Sequence, residues 1–304
     1  MSRYQLSVVV IAYNMTRELP RTIRSLSPAM QRDIAEKDYE IVVVDNGSAK
    51  PVSGDRCRQW GGNVQCHRMH NAAASPSTAI NTGLTLAGGE LIGVMIDGAR
   101  MASPGLLSAA LHAAKLHPRP VIASLGFHLG PDVQMRSVHK GYDRRVEDEL
   151  LASVDWAADG YRLFDISVFA GSSAQGWFQP ISETNALFLR RPMWQELGGF
   201  DERFVSPGGG LVNLDTYVRA CELPGSQLVI LLGEGSFHQV HDGVATNART
   251  SPFESFHAEY VRLRGKPFAQ PTARPWYFGD VRPNVLKSIE LSTRLAQKGL
   301  CPQK

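Results

Sequence analysis

Residues 88–100, GGELIGVMIDGAR, are the stretch that decides the predicted fold. Their apolar run 91–96 ends in the carboxylate of Asp97 and the turn-forming Gly98. A nearly continuous apolar run of this length is typical of a parallel strand that is buried on both faces. Open α/β sheets bind their ligands beyond the carboxyl ends of such strands. We therefore expect Asp97 to lie in a ligand site at that edge of a sheet.

Two earlier stretches predict further buried strands that end in polar turns. They are residues 6–12, LSVVVIA, followed by Tyr13 and Asn14, and residues 39–45, YEIVVVD, which end in Asp45 before an Asn-Gly-Ser turn. Segments with helical spacing and helix start signals separate the predicted strands. The alternation of strands and helices favours a mostly parallel sheet with right-handed crossovers.

The alternation becomes less regular after a strand predicted at residues 121–129. Beyond it the sequence predicts a strand at 183–191, helices at 192–197 and 215–220, a final strand at 228–232 and a terminal helix at 285–297. Gly235 and Gly243 indicate that His238 and His241 lie in a loop.

The composition excludes several classes of protein. The 304 residues carry a net charge of +3, with 43% hydrophobic and 20% charged residues, which are ordinary globular values. So small a charge predicts no nucleic-acid partner.

The amino terminus shows neither a signal peptide nor a membrane span, which predicts a cytoplasmic protein, while peripheral membrane contact and the oligomeric state stay open. Without metal-site spacing, the cysteines are expected to be reduced thiols: Cys57, Cys66, Cys221 and Cys301.

Five segments in this order give the chain a resemblance to family 2 glycosyltransferases of the GT-A fold. They are residues 8–14 (VVVIAYN), 45–48 (DNGS), 81–83 (NTG), 88–97 (GGELIGVMID) and 198–201 (GGFD). The resemblance covers residues 6–241 and implies an α/β, Rossmann-like, mostly parallel central sheet flanked by helices, with an acceptor-side α+β half and a C-terminal tail. It further implies a nucleotide-sugar-binding half at 1–120, an acceptor-binding and catalytic half of the same domain at 121–245, and an extension at 246–304.

The resemblance also implies an activity and a set of donor-binding residues. Family 2 enzymes transfer a sugar from a nucleotide-diphosphate sugar, such as a UDP-sugar, to a hydroxyl group, usually with inversion. The implied acceptor is a glycan or another hydroxyl compound, and the implied pathway is the synthesis of a bacterial surface polysaccharide or another glycan. The implied donor site comprises Ala12 and Tyr13 beside the base, Asn14, Asp45 at the base edge, Asn81, Asp97 at the ribose or the metal, and Arg100.

The metal site departs from the family pattern, because Ala99 stands where the Asp-x-Asp signature has its second carboxylate. A diphosphate leaving group needs a metal ion or a fixed cation to stabilise its developing charge. The resemblance implies that Asp97 and His238 hold Mn²⁺ or Mg²⁺ together with diphosphate oxygens. Arg100 is the alternative cation, although an ordinary solvated side chain is the simpler interpretation of this residue. His241 is expected to be structural.

The general base is expected on the helix that follows the 198–201 turn. When the family motif Glu-Asp-x-Asp is aligned on Arg219, its usual base position holds Asn213, which cannot accept a proton. Asp215 keeps the last acid of the motif. We rank Asp215 first and Glu183 second as the base that deprotonates the acceptor.

Two tryptophans receive different predictions. Trp177 lies in an irregular acceptor-side segment and is a candidate for stacking on a sugar ring. Trp194 lies in a predicted amphipathic helix and is expected in the core.

Two other functions compete with sugar transfer. Ala99 and Asn213 are compatible with a non-catalytic GT-A-like protein that binds a sugar or a nucleotide. A nucleotidyltransferase is less favoured, because no glycine-rich, lysine-containing phosphate loop follows the first strand.

Overall fold

The apolar stretches of the sequence assemble into one mixed β-sheet. The computed structural model describes residues 3–241, 243–244, 246 and 250–300. The strands in these ranges are β1 (Tyr4–Ala12), β2 (Tyr39–Asp45), β3 (Val64–Arg68), β4 (Gly89–Met95), β5 (Arg100–Ala102), β6 (Pro120–Leu129), β7 (Ser167–Phe169), β8 (Leu187–Arg190), β9 (Gln227–His238) and β10 (Trp276–Gly279).

Helices cover the sheet. The α-helices are α1 (Glu18–Leu26), α2 (Gly54–Trp60), α3 (Ser77–Leu86), α4 (Leu106–Ala113), α5 (Gln134–Ser137), α6 (Arg144–Ala152), α7 (Arg191–Leu197), α8 (Val212–Cys221), α9 (Phe253–Arg264) and α10 (Leu286–Leu300). Short 3₁₀ segments occur at Glu36–Asp38, Val138–Lys140, Gly160–Ile166, Gly171–Ser173, Pro207–Gly209 and Pro283–Val285. Within the described ranges, none of the helices combines the length and the apolar character that crossing a bilayer requires.

The strand order confirms the predicted mostly parallel sheet. Along the main path the strands follow the order β10-β9-β6-β8-β4-β1-β2-β3. Strand β8 runs antiparallel to both of its neighbours, and the other adjacent pairs on this path are parallel. The short strands β5 and β7 add antiparallel pairings to β9 and β6. One sheet therefore contains strands from both predicted halves and from the predicted extension.

The central strands are apolar on both faces because each face packs against its own layer. In β1 and β2, Val9 and Val42 belong to one apolar cluster, and Val8 and Ile41 belong to the other. Burial on both faces fixes the register of these strands. Their polar ends are therefore held at one edge of the sheet.

The last part of the sheet differs from the prediction. Strand β9 continues to His238, so the prediction that His238 lies in a loop is wrong. Gly233 has a φ of 80°. The register of the pairing between β9 and β6 shifts between Ala123 and Leu125 of β6. Glycines next to such an irregularity mark a bulge inside a strand as readily as a loop. The strand predicted at 228–232 is also not the final one, because β10 follows it.

Two cysteines are joined, so the expectation of four reduced thiols is wrong for this pair. Helix α2 lies against β3, which brings the Cα atoms of Cys57 and Cys66 to 6.2 Å, and the two residues form a disulfide. Cys221 is a free thiol. Cys301 lies outside the described residues.

Glu234 of β9 makes part of the protein's stability dependent on pH. Its carboxylate is buried and accepts hydrogen bonds from Tyr161 Oη (2.6 Å) and from Ser103 Oγ (2.5 Å). Burial raises the pKa of Glu234 from 4.5 to about 7. The folded state therefore binds this proton more tightly than the unfolded state, and the stabilisation that protonation gives is lost as the pH rises from about 4.5 through 7.

Replacing Glu234 with glutamine should remove that pH dependence. Between pH 5 and pH 8 we expect the free energy of unfolding of the wild-type protein to fall by on the order of 1–3 kcal/mol more than that of Glu234→Gln. Urea unfolding at the two pH values measures the difference. Glu254→Gln, at an exposed position on α9, is the control. Equal slopes for the wild-type protein and Glu234→Gln would show that Glu234 does not titrate in this range.

Candidate active site

The turns after β1 and β2 form the edge at which we predicted the nucleotide. Asp45 accepts a hydrogen bond from the backbone N–H of Ser48 at 2.7 Å. Asn14 has a left-handed backbone, with φ of 55°, and its N–H donates to Ser48 Oγ at 2.8 Å. Tyr13 is exposed beside these turns. A cavity at this edge is lined in part by Ala12, Asp45, Ser48, Lys50, Arg56 and Trp60.

A carboxylate and two histidines meet beyond the carboxyl end of β4. Asp97 Oδ2 lies 3.0 Å from His238 Nε2 and 3.2 Å from His241 Nε2, and the two nitrogens are 3.1 Å apart. Adjacent ligands of an octahedral ion with bonds of about 2.1 Å are separated by about 3.0 Å. The three atoms therefore fit one face of an octahedral metal site, and the group has the composition of a metal-binding cluster. His241, expected to be structural, belongs to this group.

Ala99 contributes through its backbone where the family has a second carboxylate. Its N–H donates to Asp97 Oδ1 at 2.9 Å, and its carbonyl oxygen accepts from the N–H of Gln239 at 2.8 Å. Asp97 is thereby held with Oδ2 toward the histidines. The same residue ties the turn after β4 to the end of β9.

Gln134, which the sequence reasoning missed, sets the protonation of His238. The amide Nε2 of Gln134 donates to the carbonyl oxygen of His238 at 2.9 Å, so its Oε1 faces His238 Nδ1, with which it makes a short hydrogen bond. His238 Nδ1 must therefore carry a proton, and the lone pair of Nε2 points toward Asp97. A lone pair facing a carboxylate oxygen at 3.0 Å calls for a cation between them.

The electrostatics of His238 and Asp97 support the same conclusion, whereas Asp97 raises the pKa of His241 against the effect of burial. Burial lowers the pKa of His238 to about 4, and the charge of Arg100 adds to this effect, so His238 is neutral at pH 7. Burial opposes ionisation of Asp97, whereas the charge and hydrogen bond of His241 favour it, and the pKa of Asp97 lies well below its usual range. Neutral imidazole and ionised carboxylate are the forms that bind metal ions.

The backbone of Val240, between the two histidines, is held from both sides. Its N–H donates to Glu147 Oε2 at 2.7 Å, and its carbonyl oxygen accepts from Arg17 Nη1 at 3.2 Å. Arg17 Nη2 and Glu147 Oε1 form an ion pair at 3.1 Å. Arg17, which precedes α1, and Glu147 of α6 therefore fix the turn that carries His241.

Arg100 is buried, so the interpretation of this residue as an ordinary solvated side chain is wrong. Only 8% of its surface is exposed. In the β5–β9 pairing Arg100 lies opposite His238, which places both side chains on the same face of the sheet. Its Nε and Nη1 atoms have no hydrogen-bond partner within the described ranges. Burial lowers the pKa of Arg100, against the opposing charges of Asp97 and Glu183.

Glu183 and Asn213, the residue at the family's usual base position, are in direct contact. Asn213 Nδ2 donates to Glu183 Oε2 at 2.7 Å and to the carbonyl oxygen of Thr184 at 3.1 Å. Glu183 Oε1 has no hydrogen bond among the residues that the structure describes. The amide at 213 therefore orients a carboxylate from a different segment and leaves one oxygen of that carboxylate available.

Asp215, ranked first as the base, has both carboxylate oxygens engaged. Arg219 Nε donates to Oδ2 at 2.8 Å, and Arg264 donates to Oδ1 and Oδ2 at 2.5 and 2.7 Å. Only 1% of Asp215 is exposed. These contacts join α8 to α9 and favour a structural role, while the assignment of the base to Asp215 stays a prediction.

Two further predicted site residues make contacts away from the histidines. Asn81 donates to the carbonyl oxygen of Phe200 at 2.9 Å and accepts from its N–H at 2.9 Å, which fastens α3 to the 198–201 turn. Trp177 is 1% exposed and donates to the carbonyl oxygen of Leu231 at 2.9 Å. The prediction that Trp177 stacks on a sugar is therefore wrong, since the ring has no free face. Trp194 lies in the core, as predicted.

The mixed, mostly parallel sheet with helices on its faces has the architecture of the GT-A fold. The chain belongs to glycosyl transferase family 2, whose model matches residues 7–169. The validoxylamine A glucosyltransferase of Streptomyces hygroscopicus subsp. limoneus is 27% identical to it over 233 residues, which are 72% of this chain and 49% of that protein. The chain thus spans about half the length of the curated relatives it matches.

Solved structures of glycosyltransferases share the fold. TarS of S. aureus in complex with UDP-GlcNAc is 16% identical with a TM-score of 0.53, over 84% of this chain and 66% of that chain. The mannosyltransferase PcManGT from Pyrobaculum calidifontis, in complex with GDP-Man and Mn²⁺, is 15% identical with a TM-score of 0.50, over 96% and 70%. The predicted GT-A fold is therefore confirmed.

Proposed function

We propose that this chain transfers a sugar, with inversion, from a nucleotide-diphosphate sugar to an acceptor hydroxyl, with a divalent metal ion as cofactor. The observation that carries the proposal is the group formed by Asp97, His238 and His241 at the ligand-binding edge of the sheet. The curated relative is a glucosyltransferase. Of the two structural neighbours, TarS is in complex with UDP-GlcNAc, and PcManGT is in complex with GDP-Man and Mn²⁺. These findings support both the donor class and the metal.

We assign donor binding to the turns after β1, β2 and β4. Ala12, Tyr13, Asn14 and Asp45 would surround the base, with Asp45 accepting hydrogen bonds from its edge. The three atoms of the Asp97 group would hold the ion, and two imidazole ligands favour a transition-metal ion such as Mn²⁺ over Mg²⁺. Such an ion, when bound, neutralises the charge that develops on the diphosphate.

We assign the proton transfer to Glu183. Its free Oε1 takes the proton of the acceptor hydroxyl as that oxygen forms a bond to the anomeric carbon, while the bond from the anomeric carbon to the diphosphate oxygen breaks on the opposite face. Asn213 holds Oε2 at 2.7 Å and so keeps Oε1 directed toward the acceptor. A positioned base of this kind contributes about 10²- to 10⁴-fold to the rate.

Nucleotide binding and sugar transfer test the proposal directly. The full chain with Mn²⁺ is titrated with UDP, GDP and dTDP and then incubated with the matching sugar nucleotides and a panel of glycan acceptors. At about 100 times its dissociation constant, the correct nucleotide should stabilise the protein by roughly 2.7 kcal/mol. Binding without release of nucleoside diphosphate in any reaction would favour the non-catalytic alternative. No binding with or without Mn²⁺ would contradict the proposal.

Gln134→Met should weaken the metal site without opening the core. Methionine has a similar volume but leaves His238 Nδ1 without its hydrogen-bond partner, and losing such a partner lowers metal affinity by about 10- to 100-fold. Mn²⁺ titration calorimetry measures the change. Gln5→Met is the control, because Gln5 bonds Asp38 at an exposed position. An unchanged Mn²⁺ affinity in Gln134→Met would mean that Gln134 does not orient His238.

The biological setting is part of the proposal. Synthesis of a polysaccharide or another glycan follows from the family resemblance and stays a prediction, as does the cytoplasmic location, while peripheral membrane contact stays open. Asn81 and Arg100 also stay predictions as donor-binding residues.

A further inference from the structure

We infer that His128 donates a hydrogen bond from its Nε2 atom to a phosphate oxygen of the diphosphate in the proposed donor site. This role rests on the proposed function and adds a binding residue that neither the metal cluster nor the candidate base includes. Three observations support it: the tautomer of the His128 ring, its position beside the metal cluster and the accessibility of its free nitrogen.

The backbone of Gln134 fixes the tautomer of His128. The N–H of Gln134 donates to His128 Nδ1 at 2.8 Å. A ring nitrogen that accepts a hydrogen bond carries no proton, so the proton of the neutral ring is on Nε2. A metal ligand would need a lone pair at that atom. His128 is therefore a hydrogen-bond donor and not a further ligand of the ion.

The side chain of Gln134 gives His238 the opposite tautomer. Its Oε1 accepts a hydrogen bond from His238 Nδ1, and the lone pair of His238 Nε2 faces Asp97. The two nitrogens of an imidazole point in nearly opposite directions, and Gln134 contacts Nδ1 of both rings. Both Nε2 atoms therefore point away from Gln134. One residue thus prepares a metal ligand and a hydrogen-bond donor next to each other.

The sheet places His128 directly beside His238. The two residues pair across β6 and β9, and their ring centroids are 5.3 Å apart. Paired residues of adjacent strands project to the same face of a sheet. His128 therefore lies on the face that carries His238, one strand away from the position of the proposed ion.

The Nε2 atom of His128 is free and accessible. Only 6% of the residue is exposed, and none of the described residues accepts a hydrogen bond from this nitrogen. It is nevertheless not among the unpartnered side-chain atoms that are fully enclosed, so the exposed part of the ring includes it. The cluster beside it is open as well, since 18% of the Asp97 side chain and 13% of the His241 side chain are exposed. A ligand that reaches the cluster can therefore reach His128.

The chemistry of this donor points to a phosphate oxygen. Ions such as Mn²⁺ and Mg²⁺ complete their shells with oxygen atoms, and in the proposed function the diphosphate supplies them. The diphosphate gains negative charge as its bond to the sugar breaks. An N–H group that is already fixed beside it stabilises this charge without reorganising. We therefore expect His128 to bind the diphosphate of both the sugar nucleotide and the released nucleotide.

Two substitutions separate the roles of the two ring nitrogens. In His128→Asn the amide oxygen can replace Nδ1 and accept from Gln134, but no N–H group reaches the position of Nε2. In His128→Gln the amide NH₂ group can reach that position. The control is His139→Asn, at an exposed position. Each full chain is loaded with Mn²⁺ and titrated calorimetrically with inorganic pyrophosphate, UDP, GDP and dTDP, and thermal unfolding shows that it is folded.

We expect His128→Asn to bind pyrophosphate and the preferred nucleotide about ten- to hundredfold more weakly than the wild-type protein, because a hydrogen bond to a charged group is lost. His128→Gln and the control should stay within about threefold of the wild-type affinities. Without phosphate ligands, the Mn²⁺ affinity of all the variants should also stay within about threefold, since His128 does not ligate the ion.

Three results would overturn the role of His128. One is a phosphate affinity of His128→Asn within about threefold of wild type. Another is an equal loss in His128→Gln, which would mean that an N–H group at Nε2 is not what binds. The third is a loss of Mn²⁺ affinity of about tenfold or more in His128→Asn, which would assign the residue to the metal. Failure of the proposed function appears separately, as a wild-type protein that binds none of the nucleotides, and the pyrophosphate comparison then still tests His128.

Discussion

Asp97→Asn is expected to lower sugar transfer by about 10²- to 10⁴-fold and to abolish tight Mn²⁺ binding. The substitution keeps the size of the side chain but removes its negative charge, and the new NH₂ group would face the lone pair of His238 Nε2 in one of its two orientations. The charge is what balances the cation, because both histidine ligands are neutral when they bind metal. Mn²⁺ titration calorimetry and a transfer assay with the matching sugar nucleotide measure the two effects.

A matched carboxylate outside the site controls for this substitution. Asp132 pairs with Arg136 at 2.6 Å on the surface, so Asp132→Asn should leave both metal binding and transfer within about twofold of wild type. Wild-type transfer by Asp97→Asn, or an equal loss in Asp132→Asn, would contradict the assignment of the metal site to Asp97.

Glu183→Gln and Asp215→Asn should fail in different ways, which decides between the two candidate bases. Glu183→Gln keeps the contact with Asn213 but cannot take a proton, so we expect kcat to fall by about 10²- to 10⁴-fold with nucleotide affinity and Tm unchanged. Asp215→Asn removes the charge between Arg219 and Arg264, and breaking a buried pair costs about 3–5 kcal/mol of stability. Single-turnover kinetics and thermal unfolding of both variants separate the two outcomes.

The opposite pair of results would assign the role of general base to Asp215. If Asp215→Asn unfolds at the wild-type temperature and loses turnover while Glu183→Gln remains active, the contacts of Asp215 with the two arginines are not its main role. Arg264→Lys provides a further comparison, since lysine keeps the charge but not the two hydrogen bonds that the Arg264 guanidinium donates to Asp215.

The parts of the fold that depend on local pattern could be predicted from the sequence. Strands β1 and β2 follow their apolar runs to within two residues at either end, because each run is buried on both faces. Asp97 could be placed at the ligand edge for the same reason. Strands β5 and β7, with three residues each, could not be predicted, since their only support is pairing with β9 and β6.

The chemistry of the site depends on partners that are distant in the sequence. Arg100 looks solvated beside Ala99, and only its pairing with His238 buries it. Gln134 lies 104 residues from His238, and Arg264 lies 49 residues from Asp215 on helix α9, for which no helix was predicted. Two hints were present in the sequence: His238 and His241 are three residues apart, and His128 is the penultimate residue of an apolar strand, which places it opposite His238 in the sheet. Neither specifies a contact without the fold.

The residues of the proposed metal site, Asp97, His238 and His241, are far apart in the sequence, which limits when the site can form during synthesis. Asp97 and His238 are separated by 141 residues, so strands β1 to β4 leave the ribosome well before the second and third ligands are made. The first part of the chain alone cannot hold the ion. The proposed ion would bind only once β9 has joined the sheet, and it would then stabilise the completed molecule over every partly assembled one. The metal would therefore stabilise the fold only at a late stage of biogenesis, after β9 has paired with β6.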